Sequence, residues 1–451
     1  MTPPTSSASL PVSAGSGADA LGSLSDLPEN VRLSAVDGLR VITETVPSVR
    51  SVALGLWVRT GSRDEAPGQA GLSHFLEHLL FKGTERHSAI EISELFDGMG
   101  AAANAATSKE TTQLHARFLD EHTSRAFDLM AEMLLAPSLP AGEIDPEREV
   151  VLEEIAMYED EPQDRVHDVL AEAVYAQHPL GRRVLGEADV IAGVPRDEIA
   201  DYHSGRYTAG NLVVSAAGHL DHDEIVELTR RHLSPPPGAA NGAAADELEP
   251  GPRMLFAPKE TEQYHICFGG LGVSRSDERR FALGVLDAIW GGSTSSRLFR
   301  EIREKRGLAY AVGSYTEQFV DGGMVAMYVG TREDNVAEAC EIIGRELTAL
   351  RETGVTAEEL ERAKEHVKGR MVLAMESTGA RMSRLGRAVL FDLPVLSIDE
   401  MLAEVEAVDA SDLADLAQEL YAPDSLSAAC IGPSEERFRA AVSSVSEALA
   451  A

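Results

Sequence analysis

The chain has 451 residues, 44% hydrophobic and 25% charged, a composition ordinary for a soluble globular protein and a length that implies two to four domains rather than one core. Its 74 acidic residues against 40 basic ones give a formal charge of −34, which argues against nucleic acid or an anionic membrane as a partner and suits basic substrates. Three cysteines (Cys267, Cys340, Cys430) without a CxxC spacing indicate neither a disulfide framework nor a thiolate metal site, and a reducing compartment is expected.

In chain order, residues 1–30 are rich in Ser, Pro and Ala and carry no Lys or Arg. They read as a disordered tail, not as a secretion or transit signal. No window approaches the ~18 consecutive apolar residues of a membrane span, so a cytoplasmic location is expected. "SVALGLWV" (Ser51 to Val58) and "GNLVVSAAG" (Gly210 to Gly218) read as strands, and the segments at 120–136 and 146–160 as helices, the latter with Asp145 as N-cap and Pro146 in the first turn. Leu233 to Pro252, rich in Pro, Gly and Ala, reads as a linker between a first lobe (31–232) and a second (253–451).

The two lobes repeat each other. "EREVVLEEIAMYED" from Glu147 and "ERAKEHVKGRMVLAME" from Glu361 stand 214 residues apart. Tyr207 and Tyr421, Leu212 and Leu426, and Gly218 and Gly432 keep the same offset, and Arg63 and Arg275 stand 212 apart. A period this long is a domain duplication. The expected fold is α+β, with two homologous α/β sandwich lobes joined as a clamshell.

"GLSHFLEHLLFKGTERHS" (Gly71 to Ser88) is the segment that points to chemistry. Its apolar residues recur at helical spacing, yet His74, Glu77 and His78 lie within five residues, on one helical face. Burying two imidazoles and a carboxylate is costly unless each finds a partner, and a metal ion would supply one. The duplicate positions are Asp287, Trp290 and Gly291, so the triad belongs to one lobe only and is not a requirement of the fold. A catalytic zinc takes three protein ligands and keeps one open position. The acid-rich segment beyond offers Glu147, Glu149, Glu153 and Glu154 as a third ligand, and spacing alone does not choose among them. Val150, Val151, Ile155 and Met157 predict that part of this helix is buried.

H-x-x-E-H is the reverse of the H-E-x-x-H zinc-peptidase motif. "HFLEHLLFKGT", "NAATSKETT" (Asn104 to Thr112), "EREVVLEEIAMYEDEP" and "SSRLFREIREKRGLAYAVGSY" (Ser295 to Tyr315) together resemble the pitrilysin, insulin-degrading enzyme and mitochondrial processing peptidase family. The resemblance runs from about residue 30 to 435 and is strongest to the short bacterial, processing-peptidase-like members. It implies one Zn²⁺ per chain on His74, His78 and Glu154, with Glu77 as general base and Glu147 as a supporting acid. Lys368 stands where the second lobe would carry Glu154. The resemblance also implies that a substrate peptide adds as a strand to "AAANAATSKET", with contacts at Asn104 and Ala105. Arg303 and Tyr310 of the second lobe would hold substrate and stabilise the oxyanion.

The implied activity is a zinc endopeptidase acting on unfolded, possibly basic, peptides in an enclosed acidic chamber. A homodimer is expected, and a hetero-partner would be the arrangement of relatives that divide zinc and Arg/Tyr between chains. The alternatives are a non-catalytic scaffold subunit, against which the intact motif speaks, and a dedicated precursor-processing protease.

Overall fold

The structure, a computed structural model, describes residues 27–239 and 248–450. Most of the expected N-terminal tail (1–26) and the middle of the expected linker (240–247) lie outside the described residues. Strands β1 (Val31–Val36), β2 (Leu39–Thr45), β3 (Ser51–Val58), β4 (Ala102–Thr107), β5 (Thr112–Leu119) and β6 (Leu212–Gly218) form one sheet in the order β1-β2-β6-β3-β5-β4. The second sheet contains β7 (Met254–Pro258), β8 (Gln263–Gly272), β9 (Ala309–Gln318), β10 (Gly323–Arg332) and β11 (Ser427–Gly432), ordered β7-β11-β8-β10-β9. Without β1 the two orders are the same. Each sheet has one parallel pair, β2 with β6 and β7 with β11, and is otherwise antiparallel. The duplication read from the sequence is therefore a duplication of topology, and the fold is the expected two-lobed α+β arrangement.

The apolar run of β3 has a specific cause. Alternate strand residues face opposite sides of a sheet, and here both sides are covered. Val52, Leu54, Leu56 and Val58 join a core built with helices of the same half, including Leu72–Leu79 and Thr123–Leu135. Ala53 and Trp57 face the other way and pack with Met382, Leu385 and Val389 of helix Thr378–Leu390, which comes from the second half. The exchange is reciprocal. Helix Pro162–Tyr175 of the first half places Val166, Leu170 and Val174 against Cys267, Ala326 and Ala429 of the second sheet. Each sheet thus has its own helices on one face and a helix from the other half on the opposite face.

Two local expectations need correction. The acid-rich helix spans Ala141–Asp160, so Pro146 lies inside it and Asp145 is not its N-cap. Its first turn is anchored by the Glu143 and Ile144 amides on the Pro140 carbonyl. Pro146 then removes only one hydrogen bond near the helix start, where it is best tolerated. On the same helix, Ile144, Val151 and Ile155 are buried, whereas Val150 and Met157 are 52% and 69% exposed. Only one stripe of the helix meets the core, and these two apolar residues fall outside it.

Candidate metal centre and active site

Helix Leu72–Leu79 buries Leu72, Phe75, Leu76 and Leu79 completely, which fixes the direction of its polar face. Its start is tightly specified. Gly71 precedes it with φ +93°, and a Cβ there would sit 2.6 Å from the Leu185 carbonyl oxygen. The buried Glu65 carboxylate accepts hydrogen bonds from the amides of Gly71 (2.8 Å) and Ser73 (2.7 Å), satisfying first-turn donors. Burial pushes the Glu65 pKa up to about 7 against those bonds.

From this helix, His74 and His78 meet Glu154 of helix Ala141–Asp160. His74 Nε2 and His78 Nε2 are 3.2 Å apart, and Glu154 Oε2 lies 3.7 Å from the first and 3.5 Å from the second. A tetrahedral ion with bonds of ~2.0–2.1 Å spaces its ligand atoms by roughly 3.3–3.4 Å, so the donor set fits such an ion. Burial, then the neighbouring His78, push His74 down to about 4, which keeps its imidazole neutral at pH 7. His78 Nδ1 is 2.8 Å from Glu147 Oε1. Donation of the Nδ1 proton to that carboxylate leaves the Nε2 lone pair facing His74 and Glu154. Lys82 Nζ, 2.5 Å from Glu147 Oε2, balances the buried carboxylate.

Glu77 stands beside the cluster and accepts a 2.5 Å hydrogen bond from Thr107 Oγ1 at the end of β4. Burial raises its pKa, with the Thr107 hydrogen bond opposing. Thr107, Lys82 and Glu65 were not singled out in the sequence. Lys82 carried a weak signal, one helical turn beyond His78, and Thr107 lies within the quoted "NAATSKETT".

Asn104 and Ala105 lie on β4, an edge strand of the first sheet. The Ala105 amide bonds to the Asn104 side-chain oxygen at 2.9 Å and not to β5, so it points off the free edge. Ala105 is buried and Asn104 is exposed. Arg303 and Tyr310 sit on the other side of the duplication, Tyr310 on edge strand β9. The Arg303 guanidinium donates to the Tyr310 carbonyl at 2.9 Å and lies over the rings of Tyr310 and Phe299. Among the described residues this pair forms no hydrogen bond or ion pair with His74, His78 or Glu154, and Tyr310 is 79% exposed. At the positions duplicating the triad, Asp287 accepts a hydrogen bond from Ser314 and Trp290 is fully buried, so that face of the second half is packed as core.

The sequence profile described as Insulinase (Peptidase family M16) matches residues 40–188, and the one described as Peptidase M16 inactive domain matches residues 193–367. The chain belongs to the M16 peptidase family. An uncharacterized zinc protease of Streptomyces coelicolor is 41% identical over 415 residues, covering 90% of each chain. An uncharacterized zinc protease of Bacillus subtilis is 41% identical over 404 residues, covering 89% of this chain and 98% of the relative. Among solved structures, a peptidase M16 inactive domain from Pseudomonas fluorescens superposes with a TM-score of 0.84 at 22% identity, over 90% of this chain and 98% of that one. A protease from Helicobacter pylori also gives 0.84 at 22% identity, over 90% of this chain and all of the other. This M16 chain is thus similar over nearly its whole length to short bacterial zinc proteases. The description of the second profile as inactive agrees with a second half that carries no counterpart of the triad. No helix among the described residues is long and apolar enough to cross a membrane.

Proposed function

We propose that the chain is a zinc-dependent endopeptidase that cleaves extended peptide segments, with His74, His78 and Glu154 holding one zinc ion and Glu77 as general base. The observation that carries this reading is the convergence of three donor atoms at 3.2–3.7 Å beside a carboxylate that is not one of them. When bound, zinc would acidify a water and polarise the scissile carbonyl. Thr107 occupies Oε2 of Glu77, which leaves Oε1 to take the proton of the attacking water and return it to the leaving amine. Burial, which raises the Glu77 pKa, makes it a stronger base than an exposed carboxylate.

The peptide would lie along the free edge of β4, where swinging Asn104 aside releases the outward Ala105 amide for a strand-like hydrogen bond. Next to Thr107 is a cavity of about 510 Å³ between the halves, lined by Lys109, Asp168, Tyr315 and Glu317 among others. Glu317 Oε2 is buried there without a hydrogen-bond partner. A basic side chain of the peptide would add to the pull of Lys109 and favour the charged form of Glu317 against the burial that raises its pKa, consistent with the net charge of −34. Arg303, half-buried, and Tyr310, exposed, would serve the zinc site of a second copy in a homodimer.

The test compares hydrolysis of a quenched fluorescent basic peptide by the zinc-loaded protein and by Glu77→Gln. Turnover is expected to fall by about 10²–10⁴-fold while bound zinc is retained. Equal, negligible turnover of a broad peptide library by both proteins would overturn the proposal. Mixing Glu77→Gln with Arg303→Ala is expected to restore part of the activity, because one site of the mixed dimer is intact.

A further inference from the structure

A second cavity, of about 600 Å³, lies between the halves and shares Thr107, Ser108, Glu317 and Phe319 with the first. That volume is in the range of pockets that hold small ligands or ligand fragments. Its charged lining comprises Arg275, Arg280 and Arg387 with Glu110 and Glu317. Arg387 comes from the exchanged helix Thr378–Leu390, which also contributes Ser383 to the lining.

The charges do not balance. Glu110 is consumed by Arg63 and Arg275, at 2.6 and 2.9 Å, and also accepts the Val320 amide at 3.1 Å. Glu317 interacts electrostatically with Lys109, and burial pushes it toward its neutral form. Arg280 and Arg387 are left. Arg280 donates to the Asp277 carbonyl at 3.0 Å and lies over the Phe281 ring; Arg387 donates from Nε to the Ser383 carbonyl at 3.3 Å. Among the described residues neither lies within ion-pair distance of a carboxylate, although the Asp277 carboxylate attracts Arg280 from farther away. In a chain with 74 acidic residues and 40 basic ones, two guanidiniums in a shared cavity with no carboxylate at ion-pair distance are unusual. Enclosure by protein and the nearby charge of Arg275 both act against the charged form of Arg387, so an arriving anion would relieve a repulsion as well as form hydrogen bonds.

We propose that Arg280 and Arg387 form a subsite for a carboxylate of the bound peptide, at the Thr107 end of the β4 edge. The inference rests on the peptidase reading above, because Thr107 joins this cavity to Glu77. The ligand is a carboxylate, either an Asp or Glu side chain or the peptide's own C-terminus. A peptide that places a basic side chain in the 510 Å³ cavity and an acidic group here would match both halves of the chamber.

The experiment measures binding of labelled peptides to the full chain carrying Glu77→Gln, by fluorescence anisotropy. Peptides are compared in pairs, Asp against Asn at each position in turn and free C-terminus against amide. The acidic member of at least one pair is expected to bind about tenfold more tightly. That advantage should vanish when Arg280→Gln and Arg387→Gln are added, and persist in large part with Arg387→Lys. The pair that shows it identifies the source of the carboxylate. On the protein with both arginines intact, inorganic sulfate should erase the advantage without weakening the amide peptide, a measurement that needs no cavity variant to fold. Equal binding of acid and amide members throughout, or an advantage that survives the double substitution, would overturn the subsite. The two readings fail separately: cleavage by the unmodified chain without acid preference removes the subsite alone, and acid preference without cleavage removes the peptidase alone.

Discussion

Arg63 and Arg275, the matched arginines of the duplicated halves, bind the two oxygens of a single carboxylate, Glu110. Arg63 also reaches Asp321 across the boundary at 2.5 Å. Arg63 and Glu110 are buried, and the charges are compensated only as a set. Removing one partner from a buried network leaves the other charges unpaired, which costs about 3–5 kcal/mol. Glu110→Gln is therefore expected to lower unfolding stability by about that amount in urea titrations. A loss below ~1 kcal/mol would mean that water already screens these charges.

Glu147 acts on His78 from behind the proposed metal position, through the 2.8 Å contact with Nδ1. Outer carboxylates of this kind orient the imidazole and raise its basicity, and their loss typically weakens metal affinity 10–100-fold. Glu147→Ala should reduce zinc affinity by about that factor in competition with a chromophoric chelator. Unchanged affinity would show that packing alone orients His78.

Far from the site, Glu359 caps helix Ala357–Ala374 and binds Arg297 at 2.9 and 2.8 Å. Burial alone would raise its pKa, but the Arg297 and Thr356 hydrogen bonds win and hold it at about 2, below the ordinary 4.5. A depressed folded-state pKa stabilises above the unfolded value and is lost as pH falls through the folded one. Glu359→Gln should thus cost about 1–3 kcal/mol at pH 7, and the gap to the parent protein should narrow as pH falls from 4.5 toward 2. A gap independent of pH in thermal melts would assign the cost to packing.

The exchanged helices tie the stability of the two sheets together. Leu170, fully buried, belongs to the first half but packs in the core of the second sheet. Leu170→Ala is expected to cost about 2–5 kcal/mol. The two tryptophans report separately, Trp57 on the first sheet and Trp290 beside the second. Single-tryptophan variants should show both midpoints moving together. Movement of Trp290 fluorescence alone would mean that the halves unfold independently.

Much of the candidate site was legible because it is local. One helical turn fixes His74, Glu77 and His78 on one face, and the period of the helix puts Glu147 and Glu154 on another common face. What was misread depends on which surface an element meets. The exposure of Val150 and Met157 could not be seen from an apolar pattern, and the start of their helix at Ala141 was hidden by a proline that usually marks a first turn. The strands reading as continuous apolar runs signalled burial on both faces, but not that the second cover comes from the other half.

The sequence by itself determined the duplication, the one-sided H-x-x-E-H motif and the family resemblance, since each is carried by residue identity at fixed spacing along the chain. Only the tertiary structure decided that Glu110 joins two matched arginines and that Thr107 holds Glu77. It also decided that Arg280 and Arg387 share a cavity and that helices Pro162–Tyr175 and Thr378–Leu390 cross between halves. These relationships link residues distant in sequence. They arise because a sheet with two apolar faces must be covered on both, whichever part of the chain supplies the cover.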